Sequence, residues 1–449
     1  MLSSDSFWTK SLHAAPQGEG ITRILAAAIE AVEPGAAVRR FVQRRGDILT
    51  ISGKEYNLQA FQHVALVCLG KASPGMAEAL VEMVGDKLTT GLVISKQAGT
   101  VFHPAVTFLR GGHPIPDENS LRAGEKTIEI VSSLGPQDLL LCAISGGGSA
   151  LVTAPIDGVS LADFQTLTSE LVSCGAPIDE INILRRHLDL VKGGGLVRMA
   201  NGATVVSLIL SDVIGNPLEA IASGPTAPDP STRADALTIL KKYNLVDRIP
   251  VSIKPSLLAS PETLKPGDPV FENVQNSIVG SNLQAGQAAL QQAGEEGFQP
   301  YLLRTDMHGE AREAAFELAT FLRQTRLTGD PLPPPACIVA GGETTVRVIG
   351  SGKGGRNTEL ALAAVSEMAG FPDVMLVTLA TDGEDGTCGA AGAVVTGDTF
   401  HRAAELGMHS GEFLARNDSF SFFKALDDLL LPGPTGTNVN DLVFIFLFK

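Results

Sequence analysis

The chain has 449 residues, of which 44% are hydrophobic and 18% are charged, and its formal net charge at pH 7 is −15. This composition is typical of folded globular proteins and excludes a disordered chain, while the length predicts more than one domain. The excess of acidic residues argues against general binding to nucleic acids or anionic membranes, because both require a basic surface. We therefore expect small molecules as partners, and neither nucleic acid nor membrane.

The cysteines and the hydropathy pattern favour a cytoplasmic location. The five cysteines are scattered singly and form no CxxC pair, which is typical of a reducing compartment and argues against a structural zinc site. The first ten residues lack the layout of a signal peptide, and no apolar segment approaches the roughly 20 residues of a transmembrane helix. No pattern encodes the oligomeric state, so a homodimer stays open.

Short apolar runs alternate with helical patterns through the first half of the chain. In chain order we predict a helix at 21–32, a strand at 64–69, a helix at 76–83, strands at 91–95 and 139–144, helices at 160–172 and 179–191, and a strand at 204–210. This alternation predicts parallel βαβ units with helices on both faces of the sheet. The first domain is therefore predicted over residues 1–245.

A proline-punctuated segment at 249–269 is the best candidate for a linker. Beyond it, a strand at 277–280, a helix at 283–293 and a strand at 300–304 predict a further βαβ unit. Further strands are predicted at 337–340, 346–349, 374–380, 393–395 and 442–448. These elements predict a second domain over residues 270–449.

The predicted strand at 139–144 stops abruptly at a glycine turn, which consists of Ser145, Gly146, Gly147, Gly148 and Ser149. Glycines allow positive φ angles and let a ligand approach the main chain. The N–H groups of such a turn, with a hydroxyl on each side, suit a phosphate or another oxyanion. The alternative is a flexible loop tip that ends a buried strand.

Lys71 lies where a predicted strand passes into a helix, at the carboxyl end of the strand, which is where open α/β sheets bind ligands. It is not a P-loop lysine, because Ala65 stands at the position of the first glycine and Ala72 replaces the required serine or threonine. A plain surface lysine is the alternative.

Asn182, Arg185, Asp189 and Lys192 follow one another at helical spacings and would share one face of a helix. An amide and two cations that run into three glycines suit an anion. Asp189 opposes this interpretation, because it can pair with Arg185 or Lys192 and leave an internally neutralised face. His187 lies off this face, and a structural role is the stronger prediction for it.

Asp212 and Asp382 each follow a predicted strand closely. Carboxylates at strand ends commonly hold Mg²⁺ in phosphoryl transfer, so both are candidate metal ligands. The alternative, which is strong for Asp212 taken alone, is a turn or N-cap residue.

The C-terminal part holds further glycine turns. After Glu343, the glycines at 350, 352 and 355 match a G-x-G-x-x-G dinucleotide fingerprint between a predicted strand and a helix. This turn also carries Lys353 and Arg356, followed by Asn357, and two cations suit a di- or triphosphate better than the ribose of a nicotinamide cofactor. Phosphate binding and nicotinamide binding both stay open here.

The motifs along the chain together resemble those of one family. In order they are GKAS at 70–73, SGGGSA at 145–150, INxxRRHLxxxKGG at 181–194, SDVxG at 211–215, SGPT at 223–226, GGETT at 341–345, GGRNxE at 354–359 and TDGxDG at 381–386. From about residue 21 to its end, the chain resembles the type II glycerate 2-kinases, whose C-terminal part is called the MOFRL domain. Each motif is weak alone, whereas their combination and order are specific.

The resemblance implies that ATP, with Mg²⁺, donates its γ-phosphoryl group to the 2-hydroxyl of D-glycerate. It also implies two α/β domains, a Rossmann-like N-terminal domain and a smaller mixed-sheet C-terminal domain, with the active site in the cleft between them. Lys71 and Arg356 would then hold the transferring phosphate or the glycerate carboxylate, and Asp212 would be the base or a Mg²⁺ ligand. The other implied binding residues are Ser145, Gly146, Gly147, Gly148, Ser149, Asn182, Arg185, Lys192, Glu343 and Asn357.

Two alternatives from other classes stay open at this point. One is an NAD(P)-dependent hydroxypyruvate reductase, which rests on the fingerprint at 350–355 and on a similar small acid as substrate. The other is a non-catalytic module that binds a sugar phosphate, because anion cradles bind without catalysing.

Overall fold

The structure, a computed structural model, describes residues 3–97, 99 and 103–449. The chain forms two compact units. The continuous unit is Pro34–Val279, and the split unit consists of the segment up to Glu33 together with Gly280–Lys449. Each unit combines a sheet with helices, which confirms the predicted α/β class.

The strands are, in chain order, β1 (Val42–Arg45), β2 (Ile48–Ile51), β3 (Lys54–Asn57), β4 (Val64–Leu69), β5 (Leu88–Ser95), β6 (Val106–Arg110), β7 (Leu139–Ser145), β8 (Thr204–Leu210), β9 (Val274–Gly280), β10 (Gln299–Met307), β11 (Ala336–Gly342), β12 (Val374–Ala380), β13 (Gly392–Thr396), β14 (Leu429–Leu430) and β15 (Asp441–Leu447).

The α-helices are α1 (Lys10–Ala14), α2 (Gly18–Glu30), α3 (Pro34–Phe41), α4 (Ser73–Val84), α5 (Glu118–Ser132), α6 (Gly148–Leu151), α7 (Leu161–Ser173), α8 (Ile178–His187), α9 (Gly195–Met199), α10 (Arg233–Lys242), α11 (Ile253–Ala259), α12 (Asn282–Glu295), α13 (Ala311–Thr328), α14 (Arg356–Met368), α15 (Thr399–Glu405), α16 (Ser410–Ala415) and α17 (Ser419–Leu426).

The continuous unit is built on a sheet with the strand order β6-β5-β4-β7-β8-β9, in which the neighbours from β6 to β8 are parallel. Strand β4 is apolar throughout, and β7 is apolar up to its last residue, Ser145. Both strands are fully buried, as expected of a parallel sheet that helices cover on both faces. The chain adds β5 and β6 on one side of β4 and then places β7 on its other side. Ligand crevices of open α/β sheets lie at the carboxyl ends of the strands where the order reverses in this way.

The split unit is built on a mixed sheet, as the resemblance implied for the C-terminal part, and its strand order is β10-β11-β15-β12-β13-β14. Strands β10 and β11 are parallel, whereas β15 runs antiparallel between β11 and β12. The register pairs Asp441 with Gly342 on one side and with Ala380 on the other. The carboxyl ends of β11 and β12 therefore meet the start of β15 at one edge, which we call the polar edge.

Several predicted elements match the structure closely. The strands predicted at 64–69, 204–210 and 374–380 are β4, β8 and β12 to the residue. The helix predicted at 160–172 is α7, and Ser160 and Asp163 form a capping box at its start. Within the described residues, no helix is both long and apolar enough to cross a membrane.

The predicted linker at 249–269 is wrong. These residues belong to the continuous unit and contain α11. Ile253 and Leu257 of α11 are buried in a hydrophobic cluster with Phe164 of α7. The prolines of this segment therefore punctuate a packed part of the unit, not a boundary between units.

Two further predictions after this segment are also wrong. The predicted βαβ unit does not form, because β9 belongs to the sheet of the continuous unit and β10 to that of the split unit. Residues 346–349 are described and form no strand. Val348 and Ile349 are instead 74% and 64% exposed, so their apolar character does not reflect burial in a sheet.

The N-terminal helices belong to the split unit. Helix α2 packs against α12, and Arg23 Nε donates to Glu296 Oε1 over 2.7 Å. The predicted domains at 1–245 and 270–449 divide the chain at other places, because local patterns do not report contacts between residues 273 positions apart.

Candidate active site

The glycine turn begins where β7 ends, and the neighbouring strand β4 supports it. The Ala72 N–H donates to Ser145 Oγ over 3.0 Å, and the Lys71 N–H donates to the Gly146 carbonyl over 2.9 Å. A Cβ atom at Gly70 would overlap Ser145, so the two strand ends pack backbone to backbone. The turn therefore lies at the reversal of strand order, where a ligand crevice is expected.

Gly147 takes the left-handed conformation with φ +83° and forms the N-cap of α6. Residues with a Cβ rarely adopt this conformation, which explains a glycine at this position. A Cβ atom there would also lie 3.2 Å from Cγ of Lys71, so the lysine side chain runs beside the turn. The structure thus brings the predicted lysine and the predicted turn together.

Asp212 lies on the other side of the same turn. It follows β8, the strand next to β7, and its carboxylate occupies the space that a Cβ atom at Gly146 would need. A cation and a carboxylate therefore flank one glycine turn, which is an arrangement that can hold a phosphate and a metal ion or move a proton.

His113 is a residue of this site that the sequence analysis missed. Its Cδ2 atom lies 3.1 Å and its Nε2 atom 3.3 Å from the position of a Cβ atom at Gly147. Burial, together with the positive charges of Lys71 and Lys96, lowers the pKa of His113 to about 4. A neutral imidazole therefore faces the turn at physiological pH. The feature of the sequence that could have indicated His113 is its position three residues after β6, but this strand was not predicted.

The amide of Asn182 reaches the turn through a second serine. Ser149 Oγ lies 2.7 Å from Ser223 Oγ, and Ser223 Oγ donates to Asn182 Oδ1 over 3.4 Å. Ser223 is fully buried and belongs to the motif SGPT, for which the sequence predicts no role. The three residues link α8 to the glycine turn.

The other predicted binding residues of this segment are the cations Arg185 and Lys192, and no hydrogen bond among the described residues links them to the glycine turn. Helix α8 ends at His187 and not at residue 191, so Asp189 and Lys192 do not continue its face. Lys192 is 2% exposed and donates to Asp189 and, over 3.0 Å, to the Val152 carbonyl. The pairing with Asp189 that the sequence left open is thus confirmed. Burial lowers the pKa of Arg185, although the Asp189 charge opposes this.

His187 is buried and contacts a main-chain carbonyl and a carboxylate. Its Nδ1 atom lies 2.9 Å from the Ile183 carbonyl, and its Nε2 atom lies 2.9 Å from Glu262 Oε1. These contacts agree with the predicted structural role.

Arg356 and Glu343 meet at the polar edge of the split unit. Arg356 is the first residue of α14, and its Nε and Nη2 atoms donate to the two carboxylate oxygens of Asp441 over 2.5 and 3.0 Å. Its Nη1 atom lies 3.2 Å from Glu343 Oε1. Burial raises the pKa of Asp441 to about 6, against the opposing effect of Arg356. Asp441 is not among the site residues that the sequence predicts.

One buried amide atom near the polar edge, Oδ1 of Asn282, lies against Gly341 and lacks a hydrogen-bond partner among the described residues. Buried polar groups are normally paired, and a bound polar ligand is one explanation for an unpaired one. The side chain of Asn357, which follows Arg356 on α14, interacts with Asp441 and lowers the pKa of that carboxyl.

The predicted dinucleotide fingerprint does not form as such. Among the described residues, no strand leads directly into the glycines at 350, 352 and 355, because β11 already ends at Gly342. Lys353 is exposed and directs its ammonium group to the ring of Phe420, 4.2 Å from the ring centre. The structural context that the nicotinamide interpretation required is therefore missing.

Asp382 follows β12 by two residues and lies near the polar edge. Its Oδ1 atom accepts from the Glu384 N–H over 3.1 Å, so the carboxylate also organises its own loop. The described residues contain no group of three or more His, Cys, Asp or Glu side chains that could hold a metal ion.

Comparisons with known proteins agree on one family. Residues 20–258 match a family described as a domain of unknown function, DUF4147, and residues 336–441 match the MOFRL family. The chain is similar to the D-glycerate 2-kinase of Thermotoga maritima, with 40% identity over 422 residues that cover 94% of this chain and 96% of the relative. It is 37% identical to the glycerate 2-kinase of Pyrococcus horikoshii over 427 residues, which cover 94% and 95% of the two chains.

The chain also resembles a solved structure of a glycerate kinase. The crystal structure of the glycerate kinase from Thermotoga maritima matches with a TM-score of 0.85 and 38% identity, and the match covers 95% of this chain and 98% of that chain.

Proposed function

The chain belongs to the glycerate 2-kinase family, and from this premise we propose that its residues transfer the γ-phosphoryl group of ATP to the 2-hydroxyl of D-glycerate, giving 2-phosphoglycerate and ADP. The observation that carries the proposal is the pair Lys71 and Asp212, which flank one glycine turn where the strand order reverses. Phosphoryl transfer needs mainly positioning and neutralisation of charge, and such a site supplies both.

We assign the phosphates to the glycine turn. Its N–H groups suit phosphate oxygens, and Lys71 would neutralise negative charge as it develops on the transferring group. His113 adds a neutral imidazole, which can donate or accept a hydrogen bond without adding charge.

We assign the proton or the metal ion to Asp212. Mg²⁺ keeps several waters and is usually held by one or two carboxylates together with substrate phosphates, so one carboxylate beside the turn fits its needs. A divalent ion held there would supply neutralisation of the negative charge of the phosphates. Asp382 is the second candidate ligand, and its carboxylate already accepts one main-chain hydrogen bond.

We assign the remaining anionic group, the glycerate carboxylate, to the polar edge. Arg356 supplies the positive charge there, and the amide of Asn357, the next residue on α14, supplies N–H donors.

The five cysteines are free, and four of them are buried, which supports a reducing compartment such as the cytoplasm.

One experiment separates this function from the alternatives. The purified protein is incubated with ATP, Mg²⁺ and D-glycerate, and separately with NADH and hydroxypyruvate. We expect ADP and 2-phosphoglycerate, identified by ³¹P and ¹³C spectra, and no oxidation of NADH. Product formed only in the second mixture would replace the kinase with a reductase, and no product in either would favour a binding module.

The same assay with Asp212→Asn separates the two roles of Asp212, because the amide keeps the shape and loses the charge. If Asp212 is a metal ligand, a higher Mg²⁺ concentration should partly rescue the variant. If it is the base, extra Mg²⁺ should have no effect and the acidic limb of the pH–rate profile should disappear. Wild-type turnover in the variant would exclude both roles.

A further inference from the structure

One loop follows the glycine turn along its length. Residues 211–227 come after β8, and their first part places the Asp212 carboxylate against the first glycine of the turn. Their last part packs Ala222 against the third glycine and brings Ser223 to Ser149. The loop therefore carries a candidate catalytic carboxylate at one end and a buried hydroxyl at the other.

The direction of the hydrogen bonds made by the buried hydroxyl of Ser223 is fixed by its neighbours. Ser149, Ser223 and Asn182 form a chain of hydrogen bonds that we call the hydroxyl relay. The carbonyl oxygen of the Asn182 amide can only accept, so Ser223 donates its proton to it. Ser149 must then donate its own proton to Ser223. The lone pairs of Ser149 Oγ are left to face outward from the relay.

The backbone that holds the hydroxyl relay is conformationally strained. Ala222 and Ser223 have φ angles of +50° and +61°, which are unfavourable for residues with a Cβ atom. The Gly193 N–H donates to the Ser223 carbonyl over 3.0 Å, and the Gly194 N–H donates to the next carbonyl over 2.8 Å, so the surroundings enforce the conformation. Strain that is enforced in this way is found mainly at functional sites.

We propose that Ser223 is a positioning residue, which holds the Ser149 oxygen as a hydrogen-bond acceptor for the hydroxyl group of the phosphoryl-accepting substrate. The proposal rests on the proposed function, in which this group is the 2-hydroxyl of D-glycerate. Phosphate oxygens of the nucleotide mainly accept hydrogen bonds, and a Ser149 that donates to Ser223 has no proton to offer them. A substrate hydroxyl can donate, so it matches the free lone pairs of Ser149.

The test uses three variants that separate the hydroxyl from the strain. Ser223→Ala removes the hydroxyl and keeps the strain, Ser223→Gly removes both, and the matched control Ala222→Gly removes strain and keeps the relay. For each variant of the full chain we would measure kcat and KM for D-glycerate, the affinity for ADP by calorimetry, and Tm.

Both Ser223 variants should lower kcat/KM for D-glycerate about tenfold, which is the size of one neutral hydrogen bond. Their affinity for ADP should stay within about twofold of the wild-type value, because the backbone of the turn is unchanged. Ser223→Gly and Ala222→Gly should both unfold at a higher Tm than Ser223→Ala, and Ala222→Gly should keep wild-type kcat/KM. A purely structural role predicts instead that activity follows Tm, so that Ser223→Gly would be active.

A double variant tests whether Ser223 acts through Ser149. Ser149→Ala combined with Ser223→Ala should be no worse than Ser149→Ala alone, because the second change then removes a partner that is already lost. Additive losses, a fully active Ser223→Gly, or an equal loss of ADP and glycerate affinity would each overturn the proposal. Failure of the kinase function would appear differently, as a wild-type protein that does not phosphorylate D-glycerate.

Discussion

Arg356 illustrates how one side chain can serve binding and stability together. It pairs in a bidentate manner with Asp441, which is buried, and it also approaches the exposed carboxylate of Glu343. The sequence indicated a cation in a glycine turn at this place. It did not indicate the buried partner, because Asp441 is 85 positions away along the chain.

We predict that Arg356→Ala lowers turnover by about 10²-fold or more, because a charge that binds and orients the substrate is lost. It should also lower the free energy of unfolding by about 3–5 kcal/mol, because Asp441 is left buried and unpaired. Turnover assays and urea unfolding measure the two effects. The double variant Arg356→Ala/Asp441→Asn should recover most of the stability and stay inactive. A single variant as stable as the wild type would contradict the structural part of this prediction.

His113 predicts a pH dependence of stability. Its pKa is about 4 in the folded protein, below the ordinary value of 6.5 that applies when the chain is unfolded. The neutral side chain therefore contributes stability that is fully present above pH 6.5 and is lost as the pH falls through about 4, because the unfolded state binds the proton first. His113→Asn should thus make the free energy of unfolding fall less steeply between these two pH values.

The measurement is urea unfolding at several pH values in that window. His401→Asn, a substitution of an exposed histidine in the split unit, controls for the loss of an imidazole as such. Equal pH slopes for the wild type and His113→Asn would show that the ring is not held neutral by its surroundings.

Residues next to predicted strand ends could be identified from the sequence, and residues placed by distant packing could not. Lys71 and Asp212 follow apolar runs that the sequence identifies as strands, so their position at the edge of the sheet could be predicted. Ser223 lies 74 positions from Ser149 and reaches it only through a left-handed backbone. His113 was missed for the related reason that its strand, β6, is short and half-buried.

Secondary structure elements were predictable where hydrophobicity alone decides them. The fully buried strands β4, β7 and β12 are predominantly apolar, and their limits agree with the prediction almost to the residue. Helix α8 was predicted too long, because the carboxylate of Asp189 accepts from the N–H groups of Val191 and Ala154. A short polar side chain that bonds the backbone in this way competes with helix continuation.

The placement of β15 limits what could be predicted of the polar edge. This strand comes last in the chain and inserts antiparallel between β11 and β12. Local patterns indicated that the strand exists, but not which neighbours it takes. The meeting of Arg356 with Asp441 follows from that insertion, so it could not be foreseen.

The glycine turn predicts different effects for two glycines of equal conformation. Gly147 and Gly175 are both left-handed, with φ of +83° and +77°, but only Gly147 has side chains within 4 Å of a Cβ position. Substitution by valine strains the backbone in both cases. We predict that Gly147→Val lowers the affinity for ADP more than tenfold, while Gly175→Val lowers stability alone, with calorimetry as the measurement. Equal ADP affinity of Gly147→Val and the wild type would contradict phosphate binding by this turn.

At the scale of the whole molecule, the division into units was the least predictable feature. The segment up to Glu33 belongs with Gly280–Lys449, and Ser11 and Arg402 both bond the buried carboxylate of Asp428. Such contacts close a very long loop, and no local pattern reports them. The proline-rich segment before β9 was mistaken for a boundary because prolines mark turns inside units as well as linkers.

The units predict how fragments of the chain behave. A fragment over residues 34–279 keeps nearly all of the six strands of one sheet and the cluster that buries Ile253 and Leu257. A fragment over residues 1–243 lacks β9 and α11, and it carries N-terminal helices without the part of the chain that buries them. We therefore expect cooperative unfolding in urea for the first fragment and not for the second.

Neither fragment should phosphorylate D-glycerate, because Arg356 and Asn357 are absent from both. The fragment over residues 34–279 retains the glycine turn, Lys71 and Asp212, so it should still bind ADP. Turnover by the isolated fragment 34–279 would show that the polar edge is dispensable, and an unfolded fragment would show that the continuous unit depends on the rest of the chain.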